Sequence, residues 1–296
     1  MTTLSFFKSN VSTSAIIEHL FHYLCTNLFA TMLYHMTCTF PLRRYFLFFV
    51  ISIFSLSSSL AQKSFAPGEV LTYKAFYHWG VLWLPAANIT LRVLPNENPR
   101  FLTIRANGIS FKRYDLFFKV RENFESTIFK NTLLPVEASR NAIEGSYSAR
   151  EQYRFNDSTN TIDYNISINE GKTKDSGKIE KADGYFDMLS AAYYMREYDY
   201  SKFKINQKIR VHTVINGKVF PIEIQYIGNE LCKDGNNKNR MCAKFTASTV
   251  PGTVFKGNEK ITIWMSFDSA KIPVKVTSKL KIGEVNVELT GASGTK

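Results

Sequence analysis

From residue 70 onward the chain alternates apolar and polar side chains in one short segment after another, a period of two that suits half-buried antiparallel strands. The pattern is plainest in Ile222-Glu223-Ile224-Gln225-Tyr226-Ile227 and Lys260-Ile261-Thr262-Ile263-Trp264-Met265. Strands are expected at 70–79, 87–94, 101–109, 117–129, 136–143, 147–155, 161–168, 208–215, 219–227, 241–249, 260–267, 274–280 and 284–289, joined by short hairpins. Asn216-Gly217 is a strong two-residue turn signal, because both central positions of a type I′ turn need positive φ, and Lys281-Ile282-Gly283 reads as another turn.

One segment breaks the alternation. Met188, Leu189, Ala191, Ala192, Tyr193 and Met195 have helical spacing behind Asp187, whose carboxylate can cap the free first-turn amides, with Phe186 as a hydrophobic staple. A helix of about three turns, near 187–198, is expected to cover the sheet with its apolar stripe. The fold class that follows is all-β. A large, strongly curved antiparallel sheet should form a barrel, half-barrel or sandwich, because open sheets of more than about ten strands usually curl or split and curling protects their edges.

Ahead of the strands stand Arg43-Arg44, the apolar run Tyr45 to Leu56 and the small-residue end Ser57-Ser58-Ser59-Leu60-Ala61. A basic start, an apolar core and a small-x-small exit make 43–61 a secretion signal, cut after Ala61. Residues 1–42 then read as an extension ahead of the true start, with Met36 opening the natural protein, and 62–296 as one β-rich envelope domain. Two rivals are weaker. Glu18, His19, His22, Asn27 and His35 interrupt the stretch from Ile16 to Met36, and the Tyr45–Leu60 run is short for a retained anchor.

Of the 37 basic and 25 acidic side chains, only Lys8, Arg43, Arg44 and Glu18 precede residue 62, so the exported part stays strongly basic. Lipid head groups, lipopolysaccharide and acidic glycans are the polyanions it would meet in the envelope; nothing suggests nucleic acid. Cys232 and Cys242 remain as the one exported cysteine pair and bracket a polar Gly/Asn-rich loop, the pattern of a structural disulfide in an oxidising compartment. Their spacing is not C-x-x-C. With His78 and His212 as the only histidines after residue 61, neither a metal site nor any cofactor is expected.

Three phrases resemble a known family. Phe65-Ala66-Pro67-Gly68-Glu69-Val70-Leu71-Thr72-Tyr73 is similar to the F-x-x-G-E-x-L-x-Y opening of domain-of-unknown-function family 3108, and Asp187-Met188-Leu189-Ser190-Ala191-Ala192-Tyr193-Tyr194-Met195-Arg196 to its D-x-L-S-x-x-Y-x-x-R helix. Trp264-Met265-Ser266-Phe267-Asp268 with Pro273 is similar to its W-x-S-x-D…P strand and turn. The resemblance implies an exported, β-rich bacterial envelope protein and supplies no enzyme activity or catalytic residues.

Residue chemistry favours binding over catalysis. Trp79, Trp83, Phe111, Tyr114, Phe117, Phe118, Phe124 and Trp264 are a large aromatic inventory, with Lys112, Arg113 and Lys119 beside part of it. Tyr77, His78, Trp79, Trp83, Lys112 and Arg113 are therefore the expected ligand-binding residues. The ligand would be a lipid, a lipid-linked molecule, a glycan or an envelope partner protein. His212 alternates with apolar neighbours and reads as a polar-face residue. A hydrolase or lyase acting on envelope glycans is the alternative; Glu69 with Asp187 is the carboxylate pair it could use, although Asp187 already has a capping role. The leader makes a prediction. N-terminal sequencing of exported protein should begin at Gln62, and mature protein still carrying Tyr45–Leu60 would contradict it.

Overall fold

The computed structural model describes residues 63–116, 118–180, 184–249, 260–280 and 283–296, so the leader and its cut lie outside the described residues. Fifteen strands form a single sheet ordered β8-β7-β6-β5-β4-β3-β2-β1-β15-β14-β13-β12-β11-β10-β9. The first flank comprises β1 (Val70–Trp79), β2 (Leu82–Pro95), β3 (Phe101–Ser110), β4 (Val120–Phe129), β5 (Pro135–Glu144), β6 (Tyr147–Asn156), β7 (Thr161–Ile168) and β8 (Thr173–Glu180). The second comprises β9 (Tyr185–Phe186), β10 (Lys208–Ile215), β11 (Lys218–Lys233), β12 (Asn239–Ser248), β13 (Lys260–Ser266), β14 (Pro273–Lys279) and β15 (Glu284–Ser293). All neighbours pair antiparallel except β9 with β10. The ends of the chain meet in the middle, where Tyr73 opposes Leu289.

The sheet curls until its flanks touch. The β10–β11 turn, with Asn216 at φ 50° and Gly217 at φ 68°, is clamped onto β6: the Asn216 N–H donates to Glu151 Oε2 at 3.2 Å and the Gly217 N–H to the Tyr153 hydroxyl at 3.2 Å. Val214 packs beneath it with Tyr153, Phe155 and Ile162. The result is barrel-like, but side chains rather than a ladder join the flanks. The sheet's edges, β8 and β9, are managed by other means. β8 carries Lys174, Asp175, Lys178 and Glu180 along an exposed edge, and β9 is two residues long.

The helix α1 (Met188–Met195) fills the concave side. It joins Leu189 and Tyr193 to Val93, Ile104 and Ile128 on one flank, and Met195 to Val211, Tyr226 and Phe245 on the other. Each such side chain contributes about 1.5–3 kcal/mol on burial. Asp187 accepts hydrogen bonds from the Leu189 and Ser190 amides, while Ser190 Oγ accepts from the Asp187 amide. The Ser126 hydroxyl of β4 donates to the same carboxylate at 2.6 Å and ties the helix start to the sheet.

At the other end of α1, buried Arg196 meets buried Glu69 in a two-pronged ion pair of 2.6 and 2.7 Å. The guanidinium also donates to the Ala270 and Ser64 carbonyls. Its Cζ lies 4.8 Å from the Tyr193 ring centroid and 5.2 Å from that of Phe65. The Tyr193 hydroxyl donates to Glu69.

Several elements differ from the sequence expectation. The α-helix has two turns rather than three; beyond Met195 the chain tightens into i→i+3 turns, with the Arg196, Glu197 and Tyr198 amides donating to the Tyr193, Tyr194 and Met195 carbonyls. β2 begins at Leu82 rather than 87, and β11 runs on to Lys233 rather than 227. The strand expected from 117 starts at Val120 behind a short 3-10 turn, Lys112–Tyr114. β8 and β9 were not expected. Cys232 and Cys242 lie side by side, 2.7 Å apart at Sγ, on diagonal positions where Cys232 opposes Arg240 and Cys242 opposes Glu230.

A buried charge pair is costly to break, since removing one partner strands the other in a dry interior. Arg196→Met should therefore destabilise the protein by about 3–5 kcal/mol. Joint replacement of Glu69 and Arg196 by Leu should cost less than the sum of the single changes. Equal additivity in urea unfolding would show that the pair is not coupled.

Candidate functional site

Because the sheet is an up-and-down meander, alternate connections fall at the same end. The β1–β2, β3–β4, β5–β6, β7–β8, β10–β11 and β14–β15 turns thus fall at one end, the rim. Nine of the fourteen exposed large apolar side chains among the described residues sit on it: Trp79, Val81, Leu82, Trp83, Leu84, Ile109, Leu116, Phe118 and Ile143. A surface this apolar on a water-facing sheet is the kind that contacts a partner or ligand.

The β1–β2 hairpin overshoots its neighbour. Pairing of β2 with β3 begins at Ala87 opposite Ser110, so residues 82–86 extend about 16 Å beyond that ladder. Leu82 and Leu84 point to one face and Trp83 to the other, where it stacks on Phe76 at 5.7 Å and lies 5.2 Å from the His78 ring. Val81, at the tip, is fully exposed.

The β3–β4 connection stands beside it, joined by the Phe111 N–H donating to the Ala86 carbonyl at 3.0 Å. It carries exposed Lys112, Arg113, Leu116, Phe118 and Lys119. The Arg113 guanidinium lies over the rings of Phe111 and Tyr114, while Asp115 is paired with Arg121. Phe118 lies over the β5–β6 turn, where a Cβ on Gly145 would come within 2.9 Å of the ring, so only glycine fits.

All six sequence-predicted binding residues thus stand at one end, though in different settings. Trp79 and Trp83 are 58% and 46% exposed, and Lys112 and Arg113 are exposed, whereas Tyr77 and His78 are half-buried supports. Phe117 lies outside the described residues. Phe124 is not on the rim but packs under Arg140 on the inner face, and Trp264 is held by Glu230, Lys244 and Lys275. His212 stands beside Tyr185, 5.4 Å between rings. The apolar members Val81, Leu82, Leu84 and Leu116 were missed; the unbroken run from Val81 to Leu84, between Gly80 and Pro85, was the available signal.

Inside the curl lies a second polar cluster. Arg140 donates to Glu122, Glu144 and Glu151 at 2.7–3.1 Å, and the Tyr153 hydroxyl donates to Glu151. Burial, with Glu144 adding to it, outweighs Arg140 and pushes Glu122 up to about 7. The other carboxylates considered for catalysis are committed elsewhere: Glu69 to Arg196 and Asp187 to the helix cap, where burial pushes the Asp187 carboxyl upward. Two surface depressions lie on the convex face, lined by groups such as Glu125, Glu137, Arg154, Arg105 and Asn123.

An up-and-down sheet curled around one short helix, with an apolar rim, defines a barrel-like β protein. Residues 72–290 match the family model "Protein of unknown function (DUF3108)", and the chain belongs to that family. It is similar in fold to a crystal structure of a β-barrel-like protein of domain of unknown function DUF1849 from Brucella abortus. The TM-score is 0.52 at 9% identity, over 78% of this chain and 99% of that one. No curated protein matches the chain.

Glu122 sets a pH signature. Its folded value is raised above the ordinary carboxylate value of about 4.3, so between the two the folded state holds a proton the unfolded chain releases. Stability from this group is full at acid pH and is lost as pH rises through about 7. The urea midpoint should fall over that range, and Glu122→Gln should flatten the fall; an unchanged slope would assign it to other groups.

Proposed function

We propose that this is an exported, non-enzymatic envelope protein whose rim binds an amphiphilic envelope molecule, a lipid or a lipid-linked ligand. The observation that carries the reading is the concentration of exposed Trp79, Val81, Leu82 and Trp83 beside Lys112 and Arg113. An apolar surface flanked by cations is complementary to acyl chains under an anionic head. Residues 43–61 supply the export signal in this reading, and the leader is removed. In that oxidising setting Cys232 and Cys242, already neighbours in a pocket with Val274 and Trp264, close their bridge.

The alternative, a hydrolase or lyase acting on envelope glycans, draws support from Glu122 and Glu144, two carboxylates converging on Arg140 with one of them raised. That arrangement is also what a structural ion cluster looks like. Its guanidinium occupies the space between the acids, and Glu151 is spent on the Asn216 turn.

Binding is tested by tryptophan fluorescence. Emission of the exported chain should shift on titration with fatty acids or phospholipids, and Trp79→Ala should weaken the response with little change in stability, since the ring is largely exposed. No shift with any amphiphile, together with glycan turnover that Glu122→Gln abolishes, would replace this reading with the enzymatic one.

A further inference from the structure

We infer that the rim docks onto the surface of an anionic bilayer, with the β1–β2 hairpin entering the head-group region; this rests on the reading of the rim as an amphiphile-binding surface. The argument begins with the two faces of the hairpin. A strand end that holds a single lipid inside the curl needs apolar side chains on its concave face alone. Here Leu82 and Leu84 lie on one face, Trp83 lies on the other, and Val81 is wholly exposed at the tip. A projection that is apolar all round suits a surrounding apolar phase rather than a one-sided groove, and tryptophan is the residue favoured at the membrane–water boundary.

Charge decides which surface. Lys112, Arg113 and Lys119 are exposed on the adjoining connection and make no ion pair among the described residues, whereas its acid, Asp115, is already engaged by Arg121. Cations beside the base of an inserting apolar hairpin are placed for lipid phosphates, and their attraction falls with salt. At the opposite end the exposed apolar set among the described residues is smaller, Leu231, Met241 and Phe267. Lys63 lies there, bonded to the Asn131 carbonyl in the β4–β5 connection, so a chain starting near residue 62 begins at the end away from the rim.

The test is cosedimentation of the exported chain with vesicles of phosphatidylcholine alone and of phosphatidylcholine with phosphatidylglycerol, alongside fluorescence titration with monomeric lysophospholipid. The chain should pellet with the mixed vesicles, release in high salt, and bind the neutral ones weakly. Val81→Asp, on a fully exposed side chain, should weaken binding more than ten-fold. Lys112→Glu with Arg113→Glu should remove the preference for anionic lipid, each lost cation being worth roughly five-fold. A fluorescence response to lysophospholipid without vesicle binding would overturn the bilayer inference and leave the amphiphile reading standing; no response to either would overturn both. Self-association that Val81→Asp dissolves, without lipid binding, would make a second copy the occupant and likewise overturn the inference.

Discussion

The ion pair between Glu69 and Arg196 is the interaction on which the rest of the structure depends. A guanidinium in a dry core must have its donors met, and here they are met from two distant parts of the chain: Glu69 and the Ser64 carbonyl at the entry to β1, and the Ala270 carbonyl in the β13–β14 turn. That turn is itself shaped to present Ala270. Ser266 Oγ accepts from the Ile272 amide and donates to Asp268, which accepts from the Lys271 amide. With Phe65 and Tyr193 packed on its faces, Arg196 pins the helix to the middle of the sheet, where the chain's two ends pair. The helix then gives the two flanks a common core to curl around.

This hub draws together the three sequence phrases that carried the resemblance to the family. The glycine-glutamate opening, the Asp-to-Arg helix and the Ser-x-Asp turn are not separate sites; they converge on one buried network that fixes the fold. Glu69 and Asp187, which a sequence reading can imagine as catalytic partners, are held apart in separate jobs, one neutralising Arg196 and the other capping α1 against Ser126. The rim lies outside these phrases, apart from the scaffold.

Much of the fold was legible because half-buried strands write their period into the sequence, and because Asp187, Asn216-Gly217 and the helix segment obey local rules of capping and turn geometry. What was missed follows from the same physics. β8 is an exposed edge whose Thr173–Glu180 sequence has little apolar side to alternate. The start of β2 was lost because Leu82-Trp83-Leu84 is apolar on both faces, which no half-buried strand should be, and that broken rule marks the candidate site. Arg196 with Glu69, and Arg140 with its three acids, join residues far apart in the chain or across the sheet, and no local pattern announces such pairs.

The central claim is a division of labour: the buried network holds the fold and the exposed rim meets the partner. Amide hydrogen exchange of the chain from residue 62 onward, with and without anionic vesicles, tests both halves at once. The account predicts slow exchange in α1 and around Glu69 under both conditions, with new protection confined to residues 76–86 and 111–119. Protection that appears instead on α1 or the concave face, or fast exchange there without lipid, would contradict it.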